Sequence, residues 1–184
     1  MGAPVKILLV DDDDSSRRAA SAMLSFLGYE VFQACDGTSA WREFLRCGPR
    51  IVISDWVMPD YDGLELCRKI REAPRTEYTY FMILTGEKTS KQNLLAAMDA
   101  GVDDFLTKPP DRDTLRVRLR VADRILGLTE KVRELDRVLP ICSYCRQVRR
   151  TDGLYEPIEA YLEGRKIEFS HGVCPACQKS RPSA

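Results

Sequence analysis

The sequence predicts an α/β protein: a parallel β-sheet covered by helices on both faces, then a long helix and a small cysteine-rich tail. Three observations carry this. Short apolar, β-branched runs alternate with amphipathic stretches through the first two thirds of the 184 residues, which is the rhythm of βα units stacked into a parallel sheet. A stretch free of proline follows, from 111 to 139. Two Cys-x-x-Cys pairs, Cys142/Cys145 and Cys174/Cys177, then lie in the last quarter.

The strands are read from "VKILLV" (5–10), "EVFQA" (30–34), "RIVIS" (50–54), "YFMIL" (80–84) and "DFLT" (104–107). Each is short and apolar enough to be buried on both sides. Helices are expected near 15–27, 38–47, 63–73 and 89–100, with Gly28, Gly48 and Gly101 as C-terminal stops. Ligand sites in such sheets lie outside the carboxyl ends of the strands. Those ends carry Asp11 and Asp12, Asp55, Thr85 and Lys108. A polar residue at one strand end is ordinary; three carboxylates, a hydroxyl and an ammonium converging on one rim are not.

That set suits phosphoryl transfer. Clustered carboxylates repel one another unless a hard cation joins them, and Mg²⁺ held by a few oxygens and waters meets that need. Asp55 can then act as a nucleophile that forms an aspartyl phosphate. Lys108 would neutralise charge on the phosphoryl oxygens, and Thr85 would hydrogen-bond one of them.

"ILLVDDD", "ISDWVMPDYDGLEL", "ILTG" and "DDFLTKPP" resemble the receiver domain of two-component response regulators, across about residues 4–126. The resemblance implies a flavodoxin-like, doubly wound five-stranded sheet of order 2-1-3-4-5. It implies that Asp55 is phosphorylated by a histidine kinase or a histidine phosphotransfer protein. It further implies that Asp12, Asp55 and the Val57 carbonyl bind Mg²⁺ directly and that Asp11 acts through water. Lys108 would contact the phosphoryl group, Thr85 and Phe105 would occupy the switch positions, and Lys108–Pro109 would be cis. An ordinary core aromatic is the plain alternative for Phe105; its register with Thr85 and Lys108 favours the switch role.

Composition sets outer bounds. Lys+Arg and Asp+Glu both total 28, so net charge points to neither a nucleic acid nor an acidic surface. Residues 1–111 carry 13 basic and 18 acidic groups, and residues 112–184 carry 15 and 10, a split that suggests two modules. No run approaches the ~20 apolar residues of a membrane span, and no signal-peptide pattern opens the chain. A cytoplasmic protein with reduced thiols and no membrane partner is expected. Cys35, Cys47 and Cys67 then read as small buried hydrophobes.

The 111–139 helix carries two stripes. Leu115, Leu119, Ala122 and Leu126 suit a last helix packed on the sheet. Val121, Ile125, Leu128, Val132, Leu135 and Leu139 form a heptad seam. A parallel partner helix would cover that seam in a homodimer through 121–139, with Lys131 facing the partner's Asp136; the chain's own tail would cover it equally well. Arg116, Arg118, Arg120 and Arg124 read as a solvated face rather than a phosphate-binding stripe.

The domains expected are 1–126, a linker helix 127–139, and 140–184. The last, some 45 residues, is too small to hold a core without a staple. Two Cys-x-x-Cys pairs separated by 28 residues can complete a tetrahedron around a structural Zn²⁺. Asp152-Gly153 marks a turn, Pro157 a first helical residue, Gly164 a stop, and "RKIEF" (165–169) a strand. These are the parts of a zinc-ribbon or treble-clef module. The segment also resembles a short cysteine-rich tail at the ends of some bacterial signalling proteins, a resemblance that implies no activity. His171, the sole histidine, could replace a cysteine or sit behind the ligands, but two symmetric pairs already fill a closed site.

Three functions follow. The first is a phosphorylation switch whose tail is an interaction or dimerisation module for a downstream protein, with no enzymatic activity beyond its own phosphorylation and dephosphorylation. The second is a transcriptional regulator whose tail contacts DNA; glutamates interrupt the tail's arginines, so DNA is not the expected partner. The third is a redox-sensing tail, which two equidistant pairs make less apt than a metal. Four thiolates leave no open position for an enzymatic zinc.

Overall fold

The computed structural model describes residues 4–74, 77–86, 90–136, 139–150, 152–165, 167–175 and 178. The chain divides into two compact units at Val132/Arg133, within the last long helix and between the boundaries expected at 126 and 140.

In the first unit β1 (Lys6–Val10), β2 (Glu30–Ala34), β3 (Ile51–Asp55), β4 (Tyr80–Thr85) and β5 (Asp104–Thr107) alternate with α1 (Asp14–Phe26), α2 (Gly37–Cys47), α3 (Gly63–Glu72), α4 (Lys91–Asp99) and α5 (Arg112–Asp136). All five strands are parallel, in the order β2-β1-β3-β4-β5. This is the doubly wound arrangement, and the period-2 alternation of side chains explains it. Leu8, Val10, Val52, Phe81 and Ile83 face one core with Phe44, Leu66 and Ile70 from α2 and α3. Ile7, Leu9, Ile53, Met82 and Leu84 face the other with Leu24 of α1 and Leu115, Leu119 and Leu126 of α5. Each fully buried aliphatic side chain contributes about 1.5–3 kcal/mol, so both faces drive the wrapping.

Short polar side chains start the helices. Asp13 accepts from the Ser16 N–H at 2.7 Å and Asp36 from the Ser39 N–H at 2.6 Å. Asp62 and Glu65 form a reciprocal capping box on α3. Gly48 closes α2 in the left-handed conformation, φ 62°, where a Cβ would be strained.

Gly127 does not interrupt α5, which runs unbroken to Asp136. An interior glycine costs about 1 kcal/mol against alanine, little beside the burial of Leu115, Leu119, Ala122 and Leu126, all of which lie in the core as their spacing predicts. Polar contacts fasten the helix further along. Arg118 pairs with Asp104 at 3.1 Å, the Tyr29 hydroxyl donates to Asp123 at 2.6 Å, and Arg50 reaches Glu130 at 3.5 Å.

The second stripe is divided. Leu128 and Val132 are 57 % and 60 % exposed, whereas Ile125 packs against the unit's own core. The seam of the heptad pattern therefore loses Ile125 to the sheet. The Leu135 side chain lies outside the described residues.

The second unit holds a two-stranded antiparallel sheet, β6 (Val148–Arg149) with β7 (Tyr155–Glu156), and α6 (Ile158–Gly164). Ile141 forms a further antiparallel bridge to Val148. Asp152-Gly153 makes the expected turn: Gly153 has φ 86°, and Asp152 accepts from the Leu154 N–H at 3.1 Å. Two expectations are corrected. Pro157 stands at the N-cap, one residue before the helix. Residues 167–169 are not a strand, because the Ile167 N–H is taken by the Leu162 carbonyl at 3.0 Å as α6 ends. Val148 is the one fully buried apolar side chain among the described residues of this unit.

Candidate functional site

The parallel register brings the polar strand ends to one rim: Val10 lies beside Ser54, Asp55 beside Leu84 and Thr85 beside Thr107. Just past β1, Asp11 is 2 % exposed and accepts from the Asp13 N–H at 3.0 Å. Asp12 is exposed beside it. The three carboxylates of Asp11, Asp12 and Asp55 offer oxygens all within 4.8 Å of one another.

Lys108 sits between two of them, its Nζ 2.8 Å from Asp11 Oδ2 and 2.5 Å from Asp55 Oδ2. Its own N–H donates to the Thr85 carbonyl at 2.7 Å, and the peptide to Pro109 is cis. Burial pushes the Asp55 carboxyl above the usual range; Lys108 pulls it down without cancelling that, and the Asp11 charge adds to the rise. For Lys108, burial alone would lower the ammonium, but Asp11 and Asp55 outweigh it and hold it above its ordinary value. The ammonium thus offsets an unfavourable concentration of negative charge. An oxygen-only, anionic and partly solvated donor set of this kind fits a hard divalent cation.

Asp55 is held from several sides. The Trp56 N–H donates to its Oδ1 at 2.7 Å. The Gly63 N–H, at the start of α3, donates to the Trp56 carbonyl at 2.9 Å. A Cβ at Gly63 would collide with the Asp55 carbonyl and stand 2.8 Å from Ile83 Cδ1, so α3 can approach β3 this closely only with glycine there. Thr85 is buried at the end of β4, the place the sequence assigns it. Phe105 is half-buried on β5, its ring stacked on Trp56 at 6.5 Å between centroids. The Val57 side chain is 73 % exposed.

Trp56 and Tyr61 were not singled out by sequence reasoning. Trp56 joins Asp55 to Phe105 through one residue, its N–H on the Asp55 carboxylate and its ring on that of Phe105. Tyr61 packs where Gly37 leaves space, since a Cβ at Gly37 would come within 2.6 Å of its ring. The Lys69 ammonium lies 4.9 Å from that ring and 5.0 Å from that of Trp41. The Tyr61 hydroxyl is buried without a hydrogen-bond partner among the described residues. Asp60, just before it, adopts φ 73°.

In the tail Cys142 and Cys145 share one tight loop, closed by the Arg146 N–H donating to the Cys142 carbonyl at 3.1 Å. Cys174 is exposed, and the described tail cysteines do not form a cluster of three within 4.8 Å of one another. Cys177 lies outside the described residues. His171 stacks edge-on against Phe169 at 5.2 Å. Cys47 and Cys67 are buried as expected, but Cys35 is exposed at the end of β2, because the chain turns to solvent there and its thiol donates to Asp36 Oδ2 at 3.1 Å.

A five-stranded doubly wound sheet with an acidic triad and a lysine at its carboxyl rim defines a phosphoacceptor receiver. Residues 7–120 match the Response regulator receiver domain, and the chain belongs to that family. Over 136 residues, 74 % of this chain and 49 % of the relative, it is 34 % identical to the Transcriptional regulatory protein TrcR of Mycobacterium tuberculosis. Over 117 residues, 64 % of this chain and 50 % of the relative, it is 39 % identical to a Response regulator MprA of a Mycobacterium species. The chain spans about half the length of these curated relatives. The chemotaxis response regulator CheY4 of Vibrio cholerae superposes with a TM-score of 0.61 at 30 % identity, covering 65 % of this chain and 99 % of that one. Receiver domains take phosphoryl groups from histidine kinases and bind Mg²⁺ at an acidic pocket, formed here by Asp11, Asp12 and Asp55.

Proposed function

We propose that this protein is a response regulator switched by phosphorylation of Asp55, and that α5 carries the switch to a metal-held tail. The observation that carries the reading is Lys108, whose ammonium bridges Asp11 and Asp55 within the acidic triad. Asp55 Oδ would attack the phosphorus of a phosphohistidine; the P–N bond breaks and the nitrogen keeps the electron pair. A Mg²⁺ on Asp11, Asp12, Asp55 and the Val57 carbonyl would supply positive charge to the phosphoryl oxygens. Lys108, freed from Asp55, then pairs with the phosphoryl group, and the Thr85 hydroxyl turns to donate to it. Phe105, stacked on Trp56, follows Thr85 inward.

Downstream, the exposed Leu128 and Val132 are surfaces through which α5 pairs with a second copy. The tail serves as a Zn²⁺-held knob, with Cys142, Cys145, Cys174 and Cys177 as ligands and His171 behind them, that meets a downstream protein. A DNA-reading tail is less well supported. Arg150 is taken up by Asp152 and Glu156, and Arg165 lies over Tyr161 at 4.6 Å.

The test is labelling by a small phosphodonor in Mg²⁺. The wild-type chain should gain one acid-stable, base-labile phosphoryl group and Asp55→Asn none; equal labelling of both removes the assignment.

A further inference from the structure

The loop of residues 56–62 leads from Asp55 on β3 into α3, and Val57 lies within it. The Val57 side chain is 73 % exposed, so its own packing does little to fix its carbonyl. The direction of that carbonyl is set by what grips the loop on either side. On the near side the Gly63 N–H closes the loop on the Trp56 carbonyl at 2.9 Å, and Met58 is buried in the first core.

The far side is gripped by α2. The Gly37 N–H donates to the Pro59 carbonyl at 3.4 Å. The Tyr61 ring lies directly against Gly37, where a Cβ would come within 2.6 Å of both the ring and the Tyr61 carbonyl. Gly37 is the first residue of α2 and does not adopt a left-handed backbone, so its bareness answers to Tyr61 rather than to its own conformation. From α3 the Lys69 ammonium then sits 4.9 Å from the Tyr61 ring and 5.0 Å from that of Trp41 on α2. A cation shared by two aromatic faces ties the loop to both helices. The Tyr61 hydroxyl is buried without a hydrogen-bond partner among the described residues, so the ring, not the hydroxyl, makes the attachment.

Resting on the reading of the triad as a Mg²⁺ site with the Val57 carbonyl as a ligand, we propose that Tyr61 is a positioning residue for that cation. Its ring, seated on Gly37 under Lys69, holds the far end of the loop and so keeps the Val57 carbonyl turned towards the carboxylates. Without the ring the loop spends part of its time with that carbonyl turned away. A site that is competent for only a fraction of the time loses affinity by that fraction. Mg²⁺ is sensitive to this because it demands near-octahedral geometry, and loss of a group that orients a metal ligand costs about 10–100-fold in affinity. Tyr61 touches no reacting atom, so its loss is felt in the binding of the ion and not in the transfer that follows.

The experiment is a Mg²⁺ titration of the full chain without phosphodonor, read as the midpoint of the change in tryptophan emission. Trp56 reports it, because its N–H lies on the Asp55 carboxylate at 2.7 Å. The rate of labelling by a small phosphodonor is then followed against Mg²⁺. Tyr61→Phe should keep the wild-type midpoint. Tyr61→Ala, which removes the ring, and Gly37→Ala, which displaces it, should each raise the midpoint about tenfold. Both should recover the wild-type labelling rate once Mg²⁺ saturates. Leu119→Ala, which weakens the opposite core, should leave the midpoint where it is. A wild-type midpoint in Tyr61→Ala or Gly37→Ala, a labelling rate that stays low at saturating Mg²⁺, or an equal shift in Tyr61→Phe or Leu119→Ala overturns the positioning role and leaves the Mg²⁺ site standing. A wild-type chain with no Mg²⁺-dependent change overturns both.

Discussion

Tyr61 shows how a side chain away from the chemistry bears on the loop that carries it. Its ring fills the space left by Gly37 and lies under the Lys69 ammonium, while its hydroxyl is buried with no partner among the described residues. A buried polar group without a partner costs about 1–3 kcal/mol. Tyr61→Phe should therefore raise stability by about 1 kcal/mol in denaturant unfolding at unchanged m-value, with Asp55 still labelled. A loss of stability would mean that the hydroxyl has a partner after all. Sequence alone could not have found this. "DYDG" reads as loop and helix start, and what makes position 61 special is the glycine 24 residues earlier. Asp11, Asp55, Thr85 and Lys108 were legible because each ends or directly follows a strand, and a parallel sheet brings strand ends together.

Among the elements, α5 was half legible. Its inner stripe follows from spacing alone, and Leu115, Leu119, Ala122 and Leu126 are all buried. Its outer stripe did not, because two faces of one helix competed for Ile125 and the sheet took it. Leu119→Ala should cost about 2–5 kcal/mol, whereas Val132→Ala, at an exposed position of the free chain, should change unfolding of the isolated protomer by less than ~0.5 kcal/mol. Similar losses for both would contradict the division of faces. The strand expected at 165–169 failed for a related reason: an apolar alternation specifies a strand only when a neighbouring edge is free to pair, and the α6 carbonyl claims the Ile167 N–H first.

For the whole molecule, α5 runs from the receiver unit into the second unit, whose boundary falls at Val132/Arg133. Among the described residues of the second unit Val148 is the one fully buried apolar side chain; if the tail is metal-held as proposed, its integrity should follow metal, while the receiver's should follow its own two cores. If α5 pairs through Leu128 and Val132, beryllofluoride with Mg²⁺ should raise the sedimenting mass of the full chain towards a dimer. Val132→Glu should prevent this without affecting labelling at Asp55. A mass that stays monomeric with the phosphoryl mimic would remove pairing as the output.

The most direct test of the central claim is to locate the phosphoryl group by chemistry. After labelling with a small phosphodonor in Mg²⁺, borohydride reduction converts an aspartyl phosphate to homoserine, and peptide mass mapping reads its position. Conversion at Asp55, with Asp11, Asp12 and Asp60 left intact, is the predicted result. Homoserine at any other carboxylate, or none in a chain that has taken up phosphate, would contradict it.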